Sequence, residues 1–311
     1  MLRRNRIIYC LLLFLKSSLP SNIILEKINM QLTRIKQYIA KYYNACNIHI
    51  QEDKFPNELS ILPLFNDGYQ GLENGSGQPI QELNMINSSA RLAVFYYKLL
   101  ESSGKISALM FEWNKSTPLK IPQRKNPPAN IDVRYETDNE IHFVESKYLE
   151  PYYSGNERIK KPYQEQQYYS ATIPDPDVNV WVDKFKKVDY MTKYVNVTQL
   201  YRHLLAIYRH YLENLNIYIG KKIVLESVSW VTTERFLNCV EKNSKRSRSY
   251  LEKRMHTIAI ETKKVEIDIN SFIKLLNWTD CRFEVKHYND MLDDIKGDGR
   301  FNDFCKQYFL D

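Results

Sequence analysis

The stretch 130–148, NIDVRYETDNEIHFVESKY, constrains the fold more than any other part of the chain. Two runs rich in β-branched and aromatic residues flank Thr137-Asp138-Asn139, the pattern of a β-hairpin. Asp138 and Asn139 both tolerate positive φ, as the central pair of a type I′ turn requires. A two-residue turn sets Thr137 opposite Glu140, and counting back along both strands brings Asp132 opposite Glu145. A four-residue loop keeps this register, whereas a three-residue loop shifts it. Directly opposed residues hold their Cβ atoms about 4.5–5.5 Å apart on one face. Two carboxylates placed so repel each other, and a sheet tolerates them when a cation sits between them. Lys147 lies two residues beyond Glu145 and shares its face; its own partner in this register is Asn130.

Two carboxylates and an ammonium converging on one point suit phosphodiester hydrolysis. Mg²⁺ binds through one or two carboxylates and completes its octahedron with water and phosphate oxygens. A lysine beside it can orient the attacking water or offset charge on the transition state. The E-x-K spacing alone carries no weight, because it occurs four times, at Glu52-Lys54, Glu145-Lys147, Glu261-Lys263 and Glu284-Lys286. Only the copy at 145–147 combines strand context, an acid at hairpin spacing and flanking elements of the right kind.

Those flanking elements read as follows. Residues 30–45 carry Leu32, Ile35, Ile39 and Tyr42 at helical spacing, and 50–87 reads as loop. Ser88 or Ser89 caps a helix to about Leu100. Residues 106–113 form a strand before the hairpin, and 150–177, with four prolines and many tyrosines, reads as a long irregular insertion. Asn196, with Gln199 three residues on, imitates a capping box at the head of a strong helix. A β run, KKIVLESVSWV, follows it. The pattern then predicts a strand at 264–268, a helix at 270–277, a strand at 281–287 and a polar C-terminal helix.

In this order and with these residues the segment 85–230 resembles the core of the PD-(D/E)XK nuclease superfamily, the restriction-endonuclease-like fold. Asp132 matches the first acid of that pattern, and Glu145-Ser146-Lys147 matches its (D/E)-x-K element. NSSARLAVFYYKLL and SKYLEP resemble a bacterial restriction-endonuclease-like branch. One departure is Ile131, where the motif's name has proline. The resemblance implies an α/β fold with an αβββαβ core, a mixed sheet flanked by helices, and N- and C-terminal additions. It implies a Mg²⁺- or Mn²⁺-dependent endonuclease acting on DNA, without a small-molecule cofactor and compatible with a homodimer. Asp132 and Glu145 would hold the metal, with the Ser146 carbonyl as a further ligand, and Lys147 would assist catalysis. In some relatives a Gln from the helix after the hairpin approaches the site, which makes Gln199 an accessory candidate. The alternative is a nucleic-acid-binding module that keeps the fold without catalysis.

Other features set bounds. With 43% hydrophobic and 26% charged residues the chain has the composition of a globular protein. Its net charge of +7 fits a polyanion partner without requiring one. The basic run 242–254 either tracks phosphates or forms a solvated helix face. Five scattered cysteines without a C-x-x-C pair argue against zinc ribbons and disulfide frameworks and suit a reducing cytoplasm. Arg3, Arg4 and Arg6 before the apolar run Ile7–Leu15 resemble a signal peptide, but no small-x-small cleavage site follows. The run is too short to span a bilayer, which takes about 20 residues. Residues 1–29 are therefore expected to be a leader or a misassigned start, and 30–311 one nuclease-like domain. His203 and His210 lie two turns apart without a third ligand, so neither is expected to bind metal. Glu112 could supply a third carboxylate or sit at the surface.

Overall fold

The structure, a computed structural model, describes residues 33–44, 48–56, 83–120, 128–153, 157–241 and 245–310, together with Leu59, Ile61 and Leu64. Its centre is a five-stranded sheet in the order β1 (Ser107–Ser116), β2 (Pro128–Glu136), β3 (Glu140–Lys147), β4 (Lys222–Ser229) and β5 (Cys281–His287). β1–β2 and β2–β3 pair antiparallel, while β3–β4 and β4–β5 pair parallel. The chain therefore builds a mixed α/β sheet, with parallel strands joined through helices, consistent with a restriction-endonuclease-like core. The predicted hairpin register holds from Glu136–Ile141 to Val133–Val144. The Thr137 N–H donates to the Glu140 carbonyl, closing the two-residue turn.

One face of the sheet packs against α1 (33–44), α2 (Ser89–Ser102) and the C-terminal helix. The Ser88 hydroxyl accepts from the Arg91 N–H to cap α2. Nine of the fourteen residues of α2 are then buried, because helices and sheet cover it from both sides. Arg91 itself is fully buried and offsets that cost by donating to the carbonyls of Leu83 and Leu59 and to the side chains of Asn84 and Gln307.

The opposite face carries a second cluster. Its helices include α4 (Asp175–Phe185) and α5 (Val197–Glu213), which follow the short α3 (Glu150–Tyr153). After α6 (Leu215–Tyr218) and β4 come α7 (Glu234–Glu241) and the long α8 (Lys245–Leu275), and α9 (Phe301–Tyr308) closes the chain. Among the described residues no helix is long and apolar enough to cross a membrane. The arginine-led apolar run at 3–15 lies outside them.

Two sequence expectations are corrected. Residues 264–268 are not a strand but part of α8. Val265, Ile267 and Ile269 alternate with polar residues, which imitates a half-buried strand. In the fold Val265, Ile269, Phe272 and Ile273 share one buried helical face, while Ile267 is 61% exposed. The segment 150–177 is also less irregular than its prolines suggest. It holds α3, two 3₁₀ turns and the start of α4, and Ile159, Tyr163 and Ile173 reach the second core cluster.

β1 and β2 change faces together. Phe111 and Val133 pair and belong to the cluster under α2, whereas Trp113 and Ile131 pair and belong to the cluster under α5. Residues two apart in a regular strand share a face. The step between these pairs is occupied by Glu112 and Asp132, and Glu112 has φ +51°. A left-handed backbone inside a strand is costly for a residue with a Cβ and concentrates at functional sites.

Candidate active site

Glu145 sits near the C-terminal end of β3 with 2% of its surface exposed. Each of its carboxylate oxygens meets a cationic or ionisable partner. Lys147 Nζ forms an ion pair with Oε1, and His203 Nε2 lies 2.8 Å from Oε2. His203 comes from α5, which packs across the face on which Glu145 and Lys147 project. The head of α5 is fixed as its sequence suggests: Asn196 Oδ1 accepts from the Gln199 N–H, and Asn196 Nδ2 donates to Gln199 Oε1.

Asp132 reaches the same cluster from β2. The β2–β3 ladder ends at Val133–Val144, one step short of Asp132, and a side chain takes over from the backbone there. The Ser146 N–H donates to Asp132 Oδ2 at 2.7 Å, which ties the first acid to the E-x-K segment. The Ser146 hydroxyl points to the opposite face and meets the Tyr288 hydroxyl at 2.8 Å.

The electrostatics follow from burial and crowding. Burial, then the charge of Glu145, pushes the Asp132 carboxyl well above its ordinary range. Burial and Glu145 also raise Glu112, to about 7, against the opposing pull of Lys147. Burial would raise Glu145 as well, but Lys147 and His203 outweigh it and hold that carboxyl below its usual range. Lys147 is raised despite its burial, because Glu145, Asp132 and Glu150 surround it with negative charge. Glu112, Asp132 and Glu145 thus form an acidic line across three neighbouring strands, at the point where β1 and β2 switch faces.

A cavity of about 330 Å³ opens on this cluster. Glu145 and Lys147 line it, with Gln199 and Asn196 from the α5 side and Ser227 and Ser229 from β4. Asp132 joins Glu145 and Lys147 through the Ser146 N–H and their mutual electrostatics, while Glu145, Lys147 and Gln199 face the cavity itself. Sequence reasoning dismissed His203 as a ligand and left its contact with Glu145 unseen. The available signal was its position four residues after Gln199, on the same face of the helix.

Residues 83–225 match the model of the family described as Restriction Endonuclease associating with ARP. The match covers somewhat less than half of the chain and supports a restriction-endonuclease-like family. Glu112, Asp132, Glu145, Lys147, Gln199 and His203 all lie inside the matched segment. No curated protein and no solved structure matches the chain.

Parts of the chain outside the matched segment complete the cavity. Ile258 and Thr262 of α8 form one wall. Glu261, on the same helix, accepts from the backbone N–H groups of Lys193, Tyr194 and Val195 at 2.8–3.0 Å. It so fixes the segment leading into Asn196 and α5. The Arg254 guanidinium stacks over Tyr194 at 3.8 Å and donates to the Pro151 carbonyl. Arg248 is engaged by Glu234, Glu241 and Glu252. Two of the arginines in the basic run therefore serve packing and ion pairs.

Two of the other E-x-K copies are explained by the fold. Glu261 is the backbone clamp just described. Glu284 and Lys286 join buried Glu226 and His142 in a polar cluster on the far face of the sheet, where Lys286 Nζ lies 2.6 Å from Glu226.

Among the described residues no three His, Cys, Asp or Glu side chains are arranged to hold a metal ion by themselves. What the cluster offers is hard carboxylate oxygen. Two of its acids are driven toward protonation by burial and mutual repulsion, a tension that a divalent cation relieves. Such a donor set fits Mg²⁺, which keeps water and phosphate oxygens as its remaining ligands.

Proposed function

We propose that the chain is a Mg²⁺-dependent endonuclease of the PD-(D/E)XK type, hydrolysing phosphodiester bonds in DNA. The observation that carries this reading is the clustering of Asp132 with Glu145 and Lys147, the last two lining the cavity, with the (D/E)-x-K spacing on a strand next to the first acid. The similarity to a restriction-endonuclease-like family supports DNA as the substrate.

Asp132 and Glu145 are the residues to hold the ion, with the Ser146 carbonyl beside them. When bound, the ion supplies Lewis-acid polarisation of the phosphate and favours ionisation of water. The chain's own residues do the rest. Lys147 places a positive charge where the pentavalent transition state gathers negative charge, and its N–H groups can orient the attacking water. His203 fixes one oxygen of Glu145, so that the carboxylate keeps a single orientation. Gln199 offers an amide to a phosphate or sugar oxygen in the cavity. Glu112, raised to about 7 by burial and by Glu145, can exchange a proton within the acidic cluster.

Incubating the purified chain with duplex, single-stranded and branched DNA tests this. Cleavage that needs Mg²⁺ or Mn²⁺ and disappears in Glu145→Ala supports the reading. Titrating Mn²⁺ calorimetrically separates it from a binding-only module: DNA binding without metal binding or cleavage identifies the latter.

A further inference from the structure

A second cavity, of about 220 Å³, lies beside the first and shares Pro151, Ser229, Ile258 and Thr262 with it. The sheet explains the adjacency. Lys147 pairs with Ser229 in the parallel β3–β4 ladder, and Ser229 pairs with His287 in the parallel β4–β5 ladder. The three residues form a row across the C-terminal ends of parallel strands, on one face. Neighbouring strands lie about 4.8 Å apart, so the row carries the chain from Lys147 to His287 in about 10 Å. The C-terminal ends of parallel strands are where α/β folds commonly seat their ligands.

We propose that this second cavity binds a nucleobase next to the scissile phosphate, a base carrying an exocyclic amino group and unpaired or turned out of its helix. The proposal rests on the nuclease reading for its phosphate site and adds the specificity element beside it. The walls suit a base. Met255, Ile258 and Ala259 offer apolar surface from α8, and a flexible thioether packs well against an aromatic ring. His287 and Asp290 are among the polar groups that line it. His287 spends Nδ1 on the Ser229 hydroxyl at 3.0 Å, and among the described residues none bonds its Nε2. Asp290, at the rim, is exposed and has no ion-pair partner among the described residues. A carboxylate beside an imidazole reads the amino edge of cytosine, since Asp accepts from its N4 amino group. An apolar slot with a few edge contacts is the usual way proteins hold an extruded or single-stranded base. One nucleotide, sugar included, spans the step from the phosphate cavity to this slot.

Cross-linking tests this without needing catalysis. The purified chain is mixed, without divalent metal, with a short single-stranded DNA carrying one 5-iodocytosine, irradiated, and mapped by mass spectrometry. The expected adduct is on Met255 or His287. Ala259→Phe, at an exposed position of α8, fills the slot and lowers that yield about tenfold, a loss of the order of one base-stacking contact; Ala259→Ser retains it. No adduct, adducts only outside the cavity, or an unchanged yield in Ala259→Phe overturns the proposal. Cleavage of the same strand in Mg²⁺ is scored separately. An adduct in the slot without cleavage removes the nuclease reading and leaves the base site standing. Cleavage without the adduct removes the base site alone.

Discussion

His203 Nε2 lies 2.8 Å from Glu145 Oε2, and both side chains are buried. The contact joins α5 to β3 and leaves the remaining oxygen of Glu145 to face Lys147. Its consequence is orientational, because a carboxylate with one oxygen held cannot rotate. Partners of this kind typically change metal affinity or activity about 10–100-fold when removed. His203→Ala is expected to lower cleavage by that order and to raise the Mg²⁺ concentration for half-maximal rate. Without His203 the Glu145 carboxyl rises toward its ordinary range, so the acid limb of the pH–rate profile moves to higher pH. An unchanged Mg²⁺ dependence and acid limb would show that His203 serves packing alone.

Glu112 sets a pH dependence on the folded protein. Its carboxyl is raised to about 7, so between about 4.5 and 7 the folded state binds more protons than the unfolded one. The stability from this group is full at acid pH and is lost as pH rises through 7. Asp132 is raised too and acts in the same direction. Without metal, thermal melts from pH 5 to pH 8 are expected to show this decline, with a smaller slope in Glu112→Gln. Added Mg²⁺ should stabilise more at pH 8 than at pH 5. Equal slopes in the wild type and Glu112→Gln would remove Glu112 from the account.

Glu261 clamps three backbone N–H groups ahead of α5. Hydrogen bonds to a charged group contribute about 1.5–3 kcal/mol each before competing terms, so losing the charge should be felt. Glu261→Gln is expected to cost about 1–3 kcal/mol in urea unfolding. It should also loosen the cavity wall at Tyr194 and Asn196, seen as faster amide hydrogen exchange at 193–196. Exchange unchanged there would contradict the clamp.

Ile267 and Ile269 lie two residues apart on α8 with opposite burial, 61% exposed against 0%. Ile269→Ala should cost about 2–5 kcal/mol by emptying a buried site. Ile267→Ala should stay within about 0.5 kcal/mol. A strand with both residues inward would make the two costs similar, so the comparison tests the helix itself.

That pair also marks where sequence reading stops. The hairpin register was legible because it depends on local quantities, the residues of a tight turn and a period of two. The core order of helix, three strands, helix and strand was legible for the same reason. Whether Val265-Glu266-Ile267-Asp268-Ile269 forms a strand or a helix depends on what lies against it, and alternation cannot decide that. Gln199 was named because the resembled family brings a Gln from this helix to its site, and it does line the cavity. His203 was missed because its partner is 58 residues away, and only the docking of α5 on β3 brings the two together. Glu112 was left undecided because its role depends on a left-handed backbone in mid-strand, which no propensity signals. The wall formed by α8 lies beyond the matched family segment, and its clamp on 193–195 is likewise a tertiary contact.

Lys147 occupies the most informative position in this site. It pairs with an oxygen of Glu145 that the ion would also use, so its two roles can be separated. In Lys147→Ala, metal binding should persist or tighten, because the competing ammonium is gone. The decisive measurement is the single-turnover DNA cleavage rate of Lys147→Ala at saturating Mg²⁺, beside the wild type and with folding verified by its melt. The account predicts Mg²⁺-dependent cleavage by the wild type and a loss of at least about 100-fold in the variant, the scale of removing one transition-state contact. A variant that cleaves like the wild type, or a wild type that leaves every form of DNA intact, would contradict it.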